Sequence, residues 1–312
     1  MTQQTDRTIA TCRQNGRGNT ASWRRFEPHA ALEACIRGFV VRRVKVPAHR
    51  EHLSHFPATA SCSLSWFLEG SAVRVGDEQS AQARIVFRGP QTRPVVVRHR
   101  GSLHMFILLL AADALWWLTG VSVNRHLNRI GPIEATLDDS WQAMALDVLY
   151  ASRDENRVKR IEMFLKPRWR AARLCHQAAP WGPAQRHGEW SRGAASRARI
   201  FSKGRCRRQL ERQMRTMTGW SARALRGLAR AEDALLLAAH SRQPRVNWAG
   251  IAAEAGYADQ SHLCRELRRY TGFSPQQLWR GVPKQEDLWV YRAWFDWSGA
   301  GDDTVRSTDA HD

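Results

Sequence analysis

Leu263-Cys264-Arg265-Glu266-Leu267-Arg268-Arg269-Tyr270-Thr271-Gly272-Phe273-Ser274 decides how this chain folds, because the chain carries a second version of it. A shift of 53 positions lays it on Leu210-Glu211-Arg212-Gln213-Met214-Arg215-Thr216-Met217-Thr218-Gly219-Trp220-Ser221. The match keeps apolar residues at positions 0, +4 and +7 and arginines at +2 and +5, ending on a shared Thr-Gly-aromatic-Ser. That spacing predicts one helical unit used twice, with an apolar face and an arginine stripe on the other side. Two arginine-faced helices of one make, held a fixed distance apart, suit two neighbouring grooves of a nucleic-acid duplex.

Upstream of the second copy, Asn247 can cap a helix in which Trp248, Ile251, Ala252 and Ala255 share one face. Gly256 stops that helix, and Asp259 can cap the next, Gln260 to Tyr270, which ends near Gly272. Ser274-Pro275 opens a third, short helix with proline where no amide is missed. Short helix, glycine turn and a second helix with polar, basic first turns form a helix-turn-helix plan. Between the copies, Leu225, Leu228, Ala229, Leu235, Leu236 and Ala239 mark a connecting helix over Ala222–His240. Its roughly 27 Å length at about 1.5 Å per residue is comparable with the roughly 34 Å between successive major-groove faces.

The pattern Ile251-Ala252-x-x-Ala255-Gly256-Tyr257-x-Asp259-Gln260-Ser261-His262-Leu263-x-Arg265, followed by Gly272-Phe273-Ser274-Pro275, resembles the DNA-binding region of AraC/XylS-type transcription regulators. Arg208-Gln209-Leu210-Glu211-Arg212 and Thr218-Gly219 resemble the first helix-turn-helix of the same family. The likeness covers roughly residues 188–280. The first unit departs from the pattern in two places. Its supporting helix should lie in Glu189–Arg199, where only Trp190, Ala194 and Ala198 keep step, and Ser221 is followed by Ala222 instead of proline. The resemblance implies that Gln260, Ser261, His262 and Arg265 face base edges from the second recognition helix, and Arg208, Glu211 and Arg212 from the first. Donor and acceptor chemistry agrees: Arg can grip guanine O6 and N7, Gln suits adenine, and Glu accepts from cytosine N4. Arg215 and Arg268, a turn further along, are placed to hold phosphates, fixing register without reading sequence. Cys264 falls between base-facing and core positions and is read as a small packing residue.

Charge points the same way without deciding it. The net charge is +19, and from Ser191 to Arg280 there are 18 Lys plus Arg against 6 Asp plus Glu, a net of +12. Such a surplus suits a polyanion. Arginine far outnumbers lysine throughout, and basic residues are also dense in the first 50 positions, so charge alone leaves membrane surface or generic nucleic-acid binding open. The six cysteines, at 12, 35, 62, 175, 206 and 264, form no CxxC pair, which fits a reducing cytoplasm and no disulfide scaffold or zinc ribbon. There is no signal-peptide core, and Met105–Leu118, the most apolar run, is too short to span a bilayer and holds Asp113. The reading is a cytoplasmic protein with no membrane partner.

The N-terminal part reads as β first. Cys62, Leu64, Trp66 and Leu68 alternate with Ser61, Ser63 and Ser65, predicting a half-buried strand that ends at Gly70. Val73 and Val75, Ile85–Phe87, Val95–Val97 and Met105–Leu110 continue as short strands. Helical patterns follow near Ala112–Leu118, Ser140–Tyr150 and from Glu155 to Pro167 or beyond. A small barrel followed by helices resembles the cupin-like sensor that often precedes such DNA-binding regions. The expected fold class is therefore α+β: a cupin-like small β-barrel with helices, then an all-α pair of helix-turn-helix units joined by a connecting helix. The expected boundaries are 1–178 for a sensor and dimerisation domain, 179–188 for a linker around Pro180-Trp181-Gly182-Pro183, and 189–280 for the DNA-binding domain. Residues 281–312 form an extension, with packing residues Leu288–Tyr291, Trp294 and Phe295 and disorder from about 298.

Catalysis finds little support. His49, His52 and His55 stand three apart, and cupins can hold metals through histidines, but no carboxylate lies at useful spacing. The trio is read as a solvent-facing loop, with no metal and no cofactor assigned. No nucleophile elbow, phosphate loop or paired-carboxylate motif is present. Trp66, Phe67, Phe87 and Phe106 could line an apolar ligand pocket or be plain core. The expected function is a sequence-specific DNA-binding transcription regulator, not an enzyme. Its partner is double-stranded DNA, with a small-molecule effector, RNA polymerase and a second copy of the chain as further candidates. Two alternatives stand beside it: a metal-dependent cupin-type enzyme with a DNA-binding appendage, and a non-specific DNA binder.

Overall fold

The computed structural model describes residues 8–16, 19–77, 83–175, 207–241 and 246–297. The expected linker, the supporting helix of the first unit and the tail beyond 297 lie outside them.

Ten strands, β1 (Thr8–Gly16), β2 (Asn19–Phe26), β3 (Ile36–Lys45), β4 (Glu51–Phe56), β5 (Ser61–Glu69), β6 (Ala72–Arg74), β7 (Ile85–Arg88), β8 (Val95–Arg100), β9 (Leu103–Ala111) and β10 (Ile130–Pro132), make up the β part among the described residues. They form two antiparallel sheets, not a closed ring. The first has the order β1-β2-β3-β9-β5-β7-β10 and the second β4-β8-β6. The seven-stranded sheet is covered on both faces. Phe39, Val41, Leu64, Trp66, Phe106 and Leu108 point to one side, against helices α1 (Ala112–Thr119), α2 (Asp139–Leu149) and α3 (Asp154–Cys175). Trp23, Val40, Phe67, Met105 and Ile107 point to the other, toward the small sheet.

Double covering changes the reading of β5. The serines expected to meet solvent instead face inward: Ser61 and Ser63 are buried and Ser65 is half-buried. The histidine trio differs as well. His49 sits in a turn, whereas His52 and His55 lie on β4, on opposite faces of it. The His52 ring stacks on His99 at 5.4 Å, while His55 packs edge-on against Phe273 and lies 3.3 Å from Asp287. They do not converge, and the described residues hold no group of three His, Cys, Asp or Glu that could bind a metal. Trp66, Phe87 and Phe106 are solid core on the helix-covered face, and only Phe67 borders a cavity.

The helical part comprises α4 (Arg207–Thr218), α5 (Ala222–His240), α6 (Trp248–Glu254), α7 (Gln260–Thr271), α8 (Pro275–Gly281) and α9 (Trp289–Trp297). No described helix is long and apolar enough to cross a membrane. One apolar cluster runs from Phe26 and Phe106 through Met214, Leu228 and Tyr270 to Tyr291, so the β part and the helices share a core. The C-terminal α9 straps the two together. Trp289, 2% exposed, donates its indole N–H to Ser54 Oγ at 3.0 Å and lies under the Arg42 guanidinium, which pairs with Glu286. Tyr291 donates to the Thr271 carbonyl at 3.1 Å, at the end of α7.

Candidate nucleic-acid interface

The two copies match down to single hydrogen bonds. Thr218 Oγ1 donates to the Met214 carbonyl at 2.8 Å and accepts from Trp220 N at 3.1 Å. Thr271 Oγ1 does the same with Leu267 at 2.7 Å and Phe273 N at 3.1 Å. Each hydroxyl ties the last turn of its helix to the outgoing chain. Gly219 and Gly272 follow at φ +74 and +85, left-handed positions that a side chain would strain. Ser221 and Ser274 then cap the next helices through Ala224 N and Gln277 N. Ser221 thus starts α5 without the proline of the family pattern. Its hydroxyl satisfies an amide that the first turn leaves unpaired.

In the second copy, Asn247 Oδ1 accepts from Gly250 N at 3.0 Å and Asp259 Oδ1 from His262 N at 2.6 Å, so both expected caps are made. Leu263, Leu267 and Tyr270 are buried, and Gln260, Ser261, Arg265 and Arg268 are exposed along α7. His262 is half-buried, its ring edge-on to Tyr257 at 5.1 Å. Cys264 is also half-buried, beside the exposed ridge.

In the first copy, Met214 and Met217 are buried, while Arg208, Arg212 and Arg215 are exposed on α4. Glu211 is half-buried and accepts from Arg215 Nε at 3.3 Å, one helical turn on. That i,i+4 pair, readable from the four-residue spacing, couples a residue expected to face bases to one expected to hold phosphate. By contrast, no described carboxylate pairs with Arg212, Arg265 or Arg268. These cations are therefore available to an outside anion without first breaking an internal bond.

The connecting helix α5 spans Ala222–His240. Gly227 lets it approach α7 closely: a Cβ there would stand 2.7 Å from the Tyr270 hydroxyl. The two units are thus packed through α5, with backbone against side chain. Sequence reasoning had no signal for what supports α4 from the β part. Leu127, after the 3₁₀ turn Val123–His126, and Pro90 stand against its terminal Gly219. Pro94 stands against Gly272.

Two helices with exposed arginines, α4 and α7, each closed by a left-handed glycine and followed by a serine-capped helix, with a complete helix-turn-helix around α7, make the arrangement of a DNA-binding transcription regulator. Residues 204–281 match the helix-turn-helix domain family. No curated protein sequence matches the chain significantly. Among solved structures, the chain is similar to ToxT from Vibrio cholerae O395, with 9% identity over 77% of this chain and 96% of that one and a TM-score of 0.36. Similarity also extends to unsaturated fatty acid bound ToxT from Vibrio cholerae strain SCE256 (13% identity, 77% and 94% coverage, TM-score 0.36). A third is the AraC-like transcriptional activator CuxR (11% identity, 93% and 90% coverage, TM-score 0.31).

Proposed function

We propose that the chain regulates transcription by seating α7 and α4 in two successive major-groove segments of one DNA site. The single observation that carries this reading is the pair of helices with matched ends, each presenting an exposed arginine stripe opposite a buried apolar face. In this reading Gln260, Ser261, His262 and Arg265 meet base edges in one segment, and Arg208, Glu211 and Arg212 in the other. Arg215 and Arg268 hold phosphates and set register. Residues 189–280 carry DNA binding and residues 1–178 carry sensing and self-association, with a second copy and RNA polymerase as protein partners. The reading assigns no catalysis to the chain, and its site of action is the cytoplasm, with the DNA.

Two cavities support effector control. One lies between the β part and the helices, bordered by Phe56, Ala58, Leu228, Tyr270 and Trp289. The other lies between the sheets, bordered by Ser65, Phe67, His99 and Met105. Arg88 borders both. Its guanidinium donates to Ser63 Oγ at 3.2 Å and lies 5.0 Å from the Phe56 ring centre, with no described carboxylate paired to it. Burial lowers it to about 10. A cation held in apolar surroundings favours a small apolar effector bearing an anionic group.

Selection of bound fragments from random DNA by the purified full chain tests the DNA reading. Recovery of a two-part consensus supports it. Equal recovery of all sequences, with affinity falling alike with salt, identifies a non-specific binder instead.

A further inference from the structure

We infer that the loop Gly89–Pro94, between β7 and β8, is a crossbar that fixes the two recognition helices relative to one another and so sets the DNA spacing they accept. The inference rests on the two-segment reading above and adds a positioning element outside the helix-turn-helix units.

The helix-ending glycines Gly219 and Gly272, equivalent across the 53-residue shift, rest on two prolines of this one loop. A Cβ built on Gly219 would lie 3.7 Å from Pro90 Cγ and 3.0 Å from Leu127 Cδ1. One built on Gly272 would lie 3.4 Å from Pro94 Cγ and 3.7 Å from its Cβ. A side chain at either place would meet its proline at ordinary contact distance, so each glycine lies beside its proline ring, and the positive φ of both positions strains any other residue there.

The loop is held from two sides and braced within itself. Gln91 exchanges two backbone hydrogen bonds with Thr59, each 2.8 Å, and its buried side chain donates to the Gly89 carbonyl at 2.9 Å. Asn128, in the left-handed region at φ 59, accepts from Thr92 N at 2.7 Å and Thr92 Oγ1 at 3.1 Å. The Asn128 N–H donates back to the Pro90 carbonyl at 2.8 Å. Beside Thr59, Ala58 N donates to the Tyr270 carbonyl at 2.7 Å, which fastens the end of α7 to the same frame. Proline adds a locked φ at both contact points.

The connecting helix α5 sets the distance between the units, but a single helix leaves rotation about its axis to other contacts. Beyond the packing of α5 on α7, the two proline contacts add restraint at the end of each recognition helix. A shift of one base pair turns a groove segment by about 35°, so loss of the restraint appears as tolerance to spacing.

The test measures binding of the full chain to DNAs carrying the two selected segments at native spacing and at one and two base pairs more or less. Wild type is expected to lose about tenfold affinity for each base pair of displacement. The double variant Pro90→Gly/Pro94→Gly, shown folded by its thermal transition, is expected to bind the native site a few-fold more weakly and to flatten the spacing profile to within about threefold. Asn128→Gly frees the loop from its other side, and it carries the same expectation if the proline variant does not fold. A folded variant with wild-type spacing discrimination overturns the crossbar. A wild-type chain that protects only one segment overturns the two-segment reading itself, and the crossbar with it.

Discussion

Arg265→Ala separates base reading from backbone holding. Arg265 is exposed on α7, and no described carboxylate pairs with it, so truncation removes no internal bond and uncovers no buried group. Its effect on unfolding free energy should stay within about 0.5 kcal/mol. On the selected site, loss of a bidentate contact to one guanine costs about 1–3 kcal/mol, or roughly 5- to 150-fold in affinity. Arg212 occupies the equivalent place on α4 and shares no partner with Arg265, so the two losses should add to about 2–6 kcal/mol in the double variant. The assay is fluorescence anisotropy at fixed salt, with the selected duplex and a panel changed at each base pair. Arg265→Ala should erase discrimination at one position and leave the others. An equal loss on every duplex would refute the assignment and make Arg265 a phosphate contact. A loss in the double variant no larger than in either single one would refute independent reading by the two helices.

Further outcomes follow from the same geometry. Arg268→Ala should weaken binding alike on all sequences and lower the slope of log affinity against log salt by about 1; a base-specific loss would contradict its assignment. Arg88→Met removes a cation that burial lowers from the usual guanidinium range to about 10. That depression costs about 3 kcal/mol at neutral pH, offset by a hydrogen bond of about 1 and a ring contact of about 0.5–1, so the ligand-free variant should be about 1–2 kcal/mol more stable in urea unfolding. A less stable variant would contradict the account of Arg88. His99 is 4% exposed, and burial, with help from His52 and Arg42, lowers it to about 4. The unfolded chain therefore binds the extra proton between about pH 6.5 and 4, so stability should fall through that window by up to about 3 kcal/mol. His99→Phe should remove most of this slope, and an unchanged slope would place its origin elsewhere.

The helical part was legible because local rules coincide there. Asn247, Asp259 and Ser274 cap the helices that their side chains suit, and apolar spacing of three and four residues marks α5 and α7. The β part was legible only where strands are apolar. β5, β7, β8 and β9 stand where alternation or apolar runs placed them, whereas β2, β3 and β4 hide polar residues inside. Arg42 faces inward only because Trp289 and Glu286, over 240 residues on, cover and pair with it. The inward serines of β5 had the same cause: the small sheet closes over a face that the pattern alone assigned to water. At the candidate interface, the exposed ridge could be read from periodicity. The Glu211–Arg215 pair was legible in the four-residue spacing of an acid before a base on one helix, whereas the proline neighbours of Gly219 and Gly272 arise from long-range geometry that spacing does not encode.

Protection of guanine N7 from methylation, mapped along the selected site with the full chain bound, reports the major groove alone. Two protected patches about one helical turn apart, roughly 10 base pairs, are the predicted result, with Arg265→Ala lost from one patch and Arg212→Ala from the other. Protection confined to one patch in the wild type, or spread evenly along the duplex, would contradict a chain that reads two grooves with two copies of one helix.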